Sequence, residues 1–416
     1  MNRIPPGHPP ATWLLITLLL LARWPAHGQG VDWHRWRGPS LNGVSGESGW
    51  RARWPAEGPR QLWKASVGIG FSSVSISQGR LYTMGNHTNR DSIFCLDAAS
   101  GKRLWQEGYD SLLDPHFYDG GTSCTPTVDE GRVYTLSRRG QVFCLDAASG
   151  RVIWRRSLTK ELGLKLPEWG FAGSPLVQGD LLVLNAGTAG VALRKESGEV
   201  AWQTGKDPSG YSSPVPVEVG GAPCVVLASH KSISLVGMPG GRILWQHPWK
   251  TDYDINAADP VVLGDRVFIS SGYEHGGAML QLGQTAPAVL WVERKLRTQF
   301  SSGIVLGGHL YLIDGNNGQA CTLKCVDPAS GATRWAEPGG MMGNMMAADG
   351  KLIIQWEKGE VVIVEASPER YLELSRAQVL GGKCWTQPVL SQGRLYCRNS
   401  SGTLVCLDLR DPAGTR

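Results

Sequence analysis

The chain is poor in charged residues and in long apolar runs. Of its 416 residues, 19% are charged, and its one long apolar run is WLLITLLLLA at residues 13–22. That run is shorter than the ~20 residues that a membrane-spanning helix needs, so it does not predict a transmembrane helix. Lys and Arg form no stripe, although the formal net charge is +5. A nucleic-acid-binding surface would need such a stripe and is therefore not expected.

Motifs of several common catalytic sites are also missing. The sequence has no G-x-S-x-G elbow, no Walker loop, no G-x-G-x-x-G and no H-E-x-x-H pair. This excludes the hydrolase, nucleotide-binding and zinc-protease classes that depend on those motifs. Cys124, within GGTSC, has no basic neighbour in sequence that would favour a thiolate nucleophile. The sequence therefore predicts no catalytic residue and no metal site.

The apolar run at 13–22 has the features of a cleavable export signal. It follows a short segment that contains Arg3, and it precedes the small-residue site Ala26-His27-Gly28. This arrangement is typical of a secretory signal peptide. We expect cleavage after Gly28 and an exported protein, either periplasmic or extracellular.

Cysteine content alone would suggest disulfides, because an exported chain with nine cysteines often carries a disulfide framework. Four of the nine occupy the same place in four copies of one motif: Cys95, Cys144, Cys325 and Cys406. Such recurrence is typical of small buried apolar side chains. We therefore expect few or no disulfides.

Self-similarity is the dominant feature of the sequence. FCLDAASGKRLW at 94–105 returns as FCLDAASGRVIW at 143–154. Each copy predicts a β-hairpin, with Asp97 and Gly101 at the turn in the first copy. A second hairpin precedes each copy, with turns such as SQGRLY at 77–82. Four short strands repeated every ~40–50 residues are the signature of β-propeller blades.

Tryptophans follow the same period, and their recurrence indicates that each packs against the adjacent blade. They are Trp63, Trp105, Trp154, Trp202, Trp245, Trp291 and Trp335. Seven complete units fit between residues 68 and about 380. Residues 381–409 supply three further strands, and RQLWKAS at 60–66 can supply the fourth. We predict an all-β, eight-bladed β-propeller of four-stranded blades whose ring is closed by the N-terminal strand.

The predicted organisation has four parts. A signal peptide covers residues 1–28 and an extended lead-in covers 29–59. The propeller covers 60–410, and a tail covers 411–416.

The repeat signature is hydrophobic-C/x-L-D-x-x-[ST]-G-x-x-x-W, best seen at 94–105, 143–154 and 324–335. It resembles the repeat of the PQQ-like β-propeller superfamily. That resemblance implies one of two functions. One branch comprises quinoprotein alcohol and glucose dehydrogenases, which bind pyrroloquinoline quinone (PQQ) and calcium. The other comprises non-catalytic eight-bladed propellers, such as the scaffold lipoprotein of the outer-membrane β-barrel assembly machinery.

A narrower resemblance is carried by residues 32–45, 253–273 and 381–408. These segments look like exported bacterial PQQ-binding-like β-propeller repeat proteins, a group named for its fold. Because one fold supports many functions, this resemblance does not choose between the two branches.

The dehydrogenase branch implies features that this sequence lacks. No two cysteines are adjacent, and there is no C-x-x-C-H haem motif. TDYDINAAD at 251–259 begins like an EF-hand loop, but Ala257 and Leu263 stand where Gly and Glu are required. A looser calcium site that uses Asp252, Asp254 or Asp259 stays open as an alternative. We expect no cofactor, and PQQ with calcium belongs to the dehydrogenase alternative alone.

Aromatic residues are concentrated in the segments that connect the blades, on the predicted variable-loop face. Rings mixed with a few acids suit a peptide, a glycan, a quinone-like ligand or a protein interface. The alternative, that these rings only pack the loops down, stays open. The predicted binding residues are Tyr109, His116, Phe117, Tyr118, Trp169, Phe171, Tyr253, Asp254, Asn256, Tyr273, His275, Phe300 and Trp385.

These features favour an exported, non-catalytic binding or scaffold protein. We expect a monomer whose partner is a protein, a peptide or a glycan, with no nucleic acid and no membrane-spanning segment after signal cleavage. The main alternative is a PQQ-dependent alcohol or sugar dehydrogenase, which would make the protein an oxidoreductase. A carbohydrate-active propeller would need paired carboxylates at the channel mouth.

Overall fold

The computed structural model describes residues 1, 32–116 and 118–411. The predicted signal peptide after Met1 lies outside these residues, as do Phe117 and residues 412–416. The described residues form 33 strands and one 3-10 turn, Asp252–Asp254. No helix among them is long and apolar enough to cross a bilayer.

Two strands precede the first blade: β1 (Val44–Ser45) and β2 (Arg60–Ser66). The first four blades follow in sequence, each an antiparallel sheet whose strands run in order from the channel outwards. Their strands are β3 (Ser75–Ser77), β4 (Arg80–His87), β5 (Arg90–Asp97) and β6 (Arg103–Asp110) in blade 1; β7 (Thr127–Asp129), β8 (Arg132–Leu136), β9 (Gln141–Asp146) and β10 (Val152–Ser157) in blade 2; β11 (Leu176–Gln178), β12 (Leu181–Leu184), β13 (Val191–Arg194) and β14 (Val200–Gln203) in blade 3; and β15 (Val215–Val219), β16 (Ala222–Ala228), β17 (Ser232–Gly237) and β18 (Arg242–Pro248) in blade 4.

The second half of the ring repeats the arrangement. Blade 7 carries β1 as an additional strand, parallel to its innermost strand. The strands are β19 (Val261–Leu263), β20 (Arg266–Ser271), β21 (Gly276–Gln281) and β22 (Ala288–Glu293) in blade 5; β23 (Ile304–Leu306), β24 (His309–Asp314), β25 (Ala320–Val326) and β26 (Thr333–Met341) in blade 6; β27 (Gly343–Ala348), β28 (Lys351–Trp356), β29 (Glu360–Glu365) and β30 (Glu373–Gln378) in blade 7; and β31 (Val389–Ser391), β32 (Arg394–Arg398) and β33 (Thr403–Asp408) in blade 8.

The ring is closed between the two ends of the chain. Strand β2 pairs antiparallel with β33 and supplies the outer strand of blade 8. A charge-assisted hydrogen bond of 2.7 Å from Arg60 to Asp408 joins the two strands. The predicted eight-bladed propeller of four-stranded blades, closed by the N-terminal strand, is therefore confirmed.

Residues 32–51 lie in the central channel and contact the inner strands of several blades. Ile76 N–H of blade 1 donates to Trp33 O, and Val128 N–H of blade 2 donates to His34 O, both at 2.8 Å. Further along, Arg37 donates to Gly303 O before blade 6 at 2.8 Å. Strand β1 then pairs with β27 of blade 7. The lead-in therefore fills the channel from within.

Near its end, the lead-in reaches blade 8. The Glu47 carboxylate accepts hydrogen bonds from the backbone N–H groups of Gln392 and Gly393, in the inner turn of that blade. Arg51 N–H donates to Leu409 O at 2.7 Å. These contacts hold the segment on the side of the ring that carries the inner turns.

The repeated tryptophans pack against the neighbouring blade, as predicted. The Trp63 indole N–H donates to Ala98 O of blade 1 at 3.1 Å. Five of the six tryptophans that follow donate the same type of bond to the outer turn of the next blade. The pairs are Trp105 to Ala147, Trp154 to Lys195, Trp245 to Gly283, Trp291 to Pro328 and Trp335 to Ser367. The exception is Trp202, which lies against Gly241 and has no partner for its indole nitrogen among the described residues.

Glycine in the outer turn serves the same contact. Gly150 has a φ of +75°, and a Cβ placed there would lie 2.6 Å from the ring of Trp105. The turn therefore needs glycine both for its left-handed backbone and for the approach of the indole.

All nine cysteines lie within the described residues, and each is buried with a free thiol. Burial raises the pKa of the Cys124 and Cys144 thiols to about 12. The four repeated cysteines thus occupy the apolar sites that their recurrence indicated.

Gly150→Ala is expected to destabilise the protein more than Gly131→Ala. The two glycines of blade 2 have nearly the same φ, +75° and +76°, but nothing lies within 4 Å of a Cβ at Gly131. Both variants lose about 1–2 kcal/mol to the left-handed backbone. The clash with Trp105 costs Gly150→Ala a further ~1–3 kcal/mol. Urea unfolding measures the difference, and equal losses would contradict the packing role of the indole.

The thiols of the native protein are expected to resist labelling by an aromatic disulfide reagent at pH 8. Reactive thiolates are excluded by burial and by the raised pKa values. In the denatured protein, the nine thiols should release nine equivalents of the aromatic thiolate from the reagent. Rapid labelling of the native state would show that at least one cysteine is exposed.

Candidate functional site

A belt of hydrogen bonds surrounds the channel two residues before the inner strands. Ser73 N–H donates to Thr125 Oγ1 at 3.0 Å, and Thr125 N–H donates to Ser174 Oγ at 2.9 Å. Ser174 N–H donates in turn to Ser213 Oγ at 3.0 Å, and Ser213 N–H to Asp259 Oδ1 at 2.7 Å. Each bond joins one blade to the next, so the repeat itself generates the belt.

The belt extends in both directions. Asp259 N–H donates to Ser302 Oγ at 2.8 Å, which adds blade 6. On the other side, Ser73 Oγ donates to Gln387 O, and Gln387 Nε2 donates to Met345 O, both at 2.8 Å. In the described part of the chain, no belt bond joins blade 6 to blade 7. The lead-in contacts both blades there, through Arg37 and β1.

In seven of the eight blades, the residue four positions before the inner strand lines a cavity at the centre of the ring. Alternate residues of an extended segment point the same way, so this position faces the channel as the belt position does. The seven that line the cavity are Phe71, Ser123, Ala172, Tyr211, Ala257, Phe300 and Trp385.

The cavity has a volume of about 270 Å³. The blade-connecting loops add Tyr118 and Trp169 to its wall, and the loops between the second and third strands of blades 5 and 6 add Tyr273 and Asn317. Trp36 of the lead-in also lines it, and its indole N–H donates to Asp259 Oδ2 at 2.6 Å. Because the lead-in occupies the channel behind Trp36, the cavity opens on the variable-loop face and is blind at its other end.

Five rings form a continuous aromatic arc along one wall. Trp385 stacks on Phe71 with the centroids 5.3 Å apart, and it contacts Phe300 at 4.8 Å. Tyr118 continues the arc, 5.7 Å from Phe71 and 6.1 Å from Trp169. All five rings are half-buried, so each has surface available to a ligand.

Apart from Asp259, the polar side chains of the wall are neutral. Gln299 Nε2 donates to Tyr273 Oη at 2.8 Å and to Asn317 Oδ1 at 2.9 Å. Burial raises the pKa values of Tyr118, Tyr211 and Tyr273, so these phenols stay protonated at neutral pH.

Asp259 is the one carboxylate among the lining residues. Burial raises its pKa, while Arg37 and the hydrogen bond from Trp36 act against that rise. The Arg37 side chain lies 4.0 Å away and is itself buried. The oxygens of Asp259 are therefore engaged with the protein.

Cations near the rim are paired with acids. Arg138 forms a hydrogen bond to Tyr118 Oη and lies 3.3 Å from Asp114. Lys383 lies over the Trp385 ring, 4.7 Å from its centroid, and forms a 2.9 Å ion pair with Asp119. Neither Lys nor Arg lines the cavity itself.

Of the predicted binding residues, five line the cavity: Tyr118, Trp169, Tyr273, Phe300 and Trp385. Three others lie close to its rim. Tyr253 is 68% exposed and contacts Tyr273, and His116 is exposed beside Trp169. Asp254 forms a 3.2 Å ion pair with His230.

Four predicted residues lie elsewhere in the described structure. Tyr109 stacks on Phe143 at 4.6 Å, and Phe171 is buried in a hydrophobic core. Asn256 is buried, and its side-chain amide donates to backbone carbonyls, among them that of Trp249. His275 contacts the ring of the same Trp249. Phe117 lies outside the described residues.

Sequence inspection missed Trp36, Phe71, Tyr211 and Gln299, which also line the cavity. A signal was present for Phe71 and Tyr211, because both stand four residues before an inner strand, as Phe300 and Trp385 do. Trp36 gave no such signal, since it lies outside the repeat.

The lining does not match PQQ with calcium. PQQ is a polycarboxylate, and its buried negative charge would need cationic partners that the cavity wall does not provide. Calcium needs several oxygen ligands. Within the described residues, no three His, Cys, Asp or Glu side chains are grouped to hold a metal ion. The suggested calcium set does not converge, because Asp252 is exposed, Asp254 pairs with His230 and Asp259 is bound within the protein.

A family profile described as outer membrane protein assembly factor BamB matches residues 89–337, more than half of the chain. A search among curated proteins found no significant match.

Solved structures show the same architecture. BamB from Moraxella catarrhalis has a TM-score of 0.60 and 14% identity, over 84% of this chain and 97% of that one. The quinohemoprotein alcohol dehydrogenase from Comamonas testosteroni has a TM-score of 0.65 and 13% identity, over 90% and 80%. The quinohemoprotein alcohol dehydrogenase ADHIIG from Pseudomonas putida HK5 has the same score and identity, over 92% and 81%. At these identities the likeness shows the fold alone.

Ser174→Ala is expected to lower the free energy of unfolding by about 1–3 kcal/mol, because the buried Thr125 N–H loses its acceptor. Ser209→Ala is the matched control. Ser209 is equally buried, but its hydroxyl has no partner among the described residues, so its loss should cost little. Denaturant unfolding compares the two, and similar losses would contradict the structural importance of the belt.

Proposed function

This chain belongs to the PQQ-like β-propeller family, and from that membership we propose that it is an exported, non-catalytic binding protein. Its binding site is the aromatic cavity on the variable-loop face. Export rests on the predicted signal peptide at residues 1–28. The observation that carries the binding function is the cavity itself, a blind pocket with an aromatic arc and a polar wall in which Asp259, the one charged side chain, is paired within the protein.

The composition of the wall supports binding without catalysis. General acid–base chemistry needs a titratable group placed to exchange a proton with a substrate. Asp259 is the one carboxylate of the wall, and Trp36 and Ser213 already occupy its oxygens. A hydrolase acting on glycosides would need a second carboxylate nearby. Aromatic rings with a few neutral polar groups are, by contrast, typical of ligand pockets.

The dehydrogenase alternative shares the fold but has less support at the site. Its cofactor would lie in a cavity whose wall has no Lys or Arg. An aromatic arc could stack on a flat quinone, but the carboxylates of the quinone would be left without cationic partners.

A thermal-shift experiment tests the proposal with four sets of probes: neutral fragments, neutral sugars, short peptides, and PQQ with calcium. A ligand that binds only the folded state raises the melting temperature by mass action. We expect at least one of the first three sets to raise it. The double variant Phe300→Ala/Trp385→Ala should abolish that rise. Leu290→Ala, on the exposed outer strand of blade 5, should preserve it.

Two outcomes would contradict the proposal. One is that none of the first three sets shifts the melting temperature. The other is that PQQ with calcium shifts it and the loaded protein reduces an artificial electron acceptor when an alcohol is added. The second outcome would establish the dehydrogenase alternative.

A further inference from the structure

We propose that the cavity binds a neutral saccharide ring, an inference that rests on the proposed binding function and adds the class of its ligand. The inference depends on the combination of ring surfaces, neutral polar groups and cavity size.

The half-buried rings match the faces of a sugar ring. The aromatic arc is joined on the other sides of the cavity by Trp36 and Tyr273, which are also half-buried. A pyranose ring presents C–H groups on both of its faces, and those apolar faces pack flat on aromatic side chains. Its hydroxyl groups project around the edge, where they need polar partners.

The polar part of the wall suits such hydroxyl groups. Amides and hydroxyls both donate and accept hydrogen bonds, as sugar hydroxyls do. The cavity offers such groups on Asn317, Asn344 and Ser123. Ser123 is half-buried at the cavity wall, so its hydroxyl is accessible to a ligand. A ligand hydroxyl there can replace the hydrogen bonds to water that binding would remove.

Charge and size argue against anionic, wholly apolar and protein ligands. An anionic ligand would bury its charge in a wall without Lys or Arg. A wholly apolar ligand would cover the Ser123 hydroxyl and the Asn317 amide without replacing their hydrogen bonds to water. The volume of about 270 Å³ lies just below the ~300–1,000 Å³ that is usual for small-molecule pockets. It can enclose one sugar ring but not a folded segment of a protein.

Titration of the intrinsic tryptophan fluorescence tests the inference. The probes are glucose, galactose, mannose, N-acetylglucosamine and their disaccharides, with glucuronic and galacturonic acids as charged counterparts. We expect a saturable change with at least one neutral sugar. The matching uronic acid should bind about tenfold more weakly. The inference is overturned if no neutral sugar saturates the signal, or if the uronic acids bind equally well.

Ser123→Ala separates a sugar from an apolar ligand. The substitution removes a half-buried hydroxyl of the cavity wall, so the melting temperature should change little. Sugar affinity should fall about tenfold. Unchanged or improved affinity would show that the hydroxyl is not used and would overturn the inference.

Trp385→Ala and Trp385→Phe test the stacking. The first variant should lose binding, and the second should retain most of it because a flat ring remains. Val292→Ala, on the outer strand of blade 5, is the control and should bind as the unmodified protein does. Equal binding by all three variants would contradict the assignment of the cavity.

The same sugar can reach the cavity as a free solute or as the end of a longer glycan. The opening on the loop face leaves room for a chain, so the titration is repeated with an oligosaccharide that ends in the best monosaccharide. Equal or tighter binding identifies a glycan end, and loss of binding identifies a free sugar. If sugars fail but fragments or peptides shift the melting temperature, this inference falls and the proposed function stands. If all three sets fail, the proposed function falls as well.

Discussion

Backbone amides two residues before the inner strands donate to a hydroxyl or a carboxylate on the next blade, and this belt fixes the geometry of the channel. The belt lies in the buried centre, where an unpaired amide would be costly. Each acceptor therefore holds two neighbouring blades in register. The cavity-lining residues stand two positions before the belt residues in the same extended segments, so the belt also sets their spacing.

The lead-in complements the belt at two places. Arg37 and β1 contact blades 6 and 7 where the belt bond is lacking. Trp36 donates to Asp259, which is itself a member of the belt. A segment outside the repeat thus both supports the ring and closes the channel, and it turns a passage into a pocket with one opening.

Sequence alone predicted the propeller because each blade corresponds to one copy of a sequence repeat. The tryptophan period, the turn glycines and the recurring cysteines mark the same strand or turn in successive copies of the repeat, although no single marker is present in every blade. It predicted the site less well, because the connecting loops do not repeat. Aromatic content identified Tyr118 and Trp385 but also Phe171, which is buried in a core. Aromatic content alone does not state whether a ring faces a cavity or the interior. The distance to the next inner strand does carry a signal, because Trp385 stands four residues before one and Phe171 stands five before one. Trp36 was missed for a different reason: its place depends on the path of a non-repeating segment through the assembled ring.

The central claim, that the cavity is the ligand-binding site, can be tested on the tryptophan indoles directly. A nitrogen-15 correlation spectrum resolves the indole N–H signals, and single Trp→Phe variants assign them. With a saturating neutral sugar, the account predicts shifts for Trp36, Trp169 and Trp385 and none for the outer-strand indoles such as Trp154. Shifts confined to the outer-strand indoles, or no shift with any sugar or fragment, would contradict it.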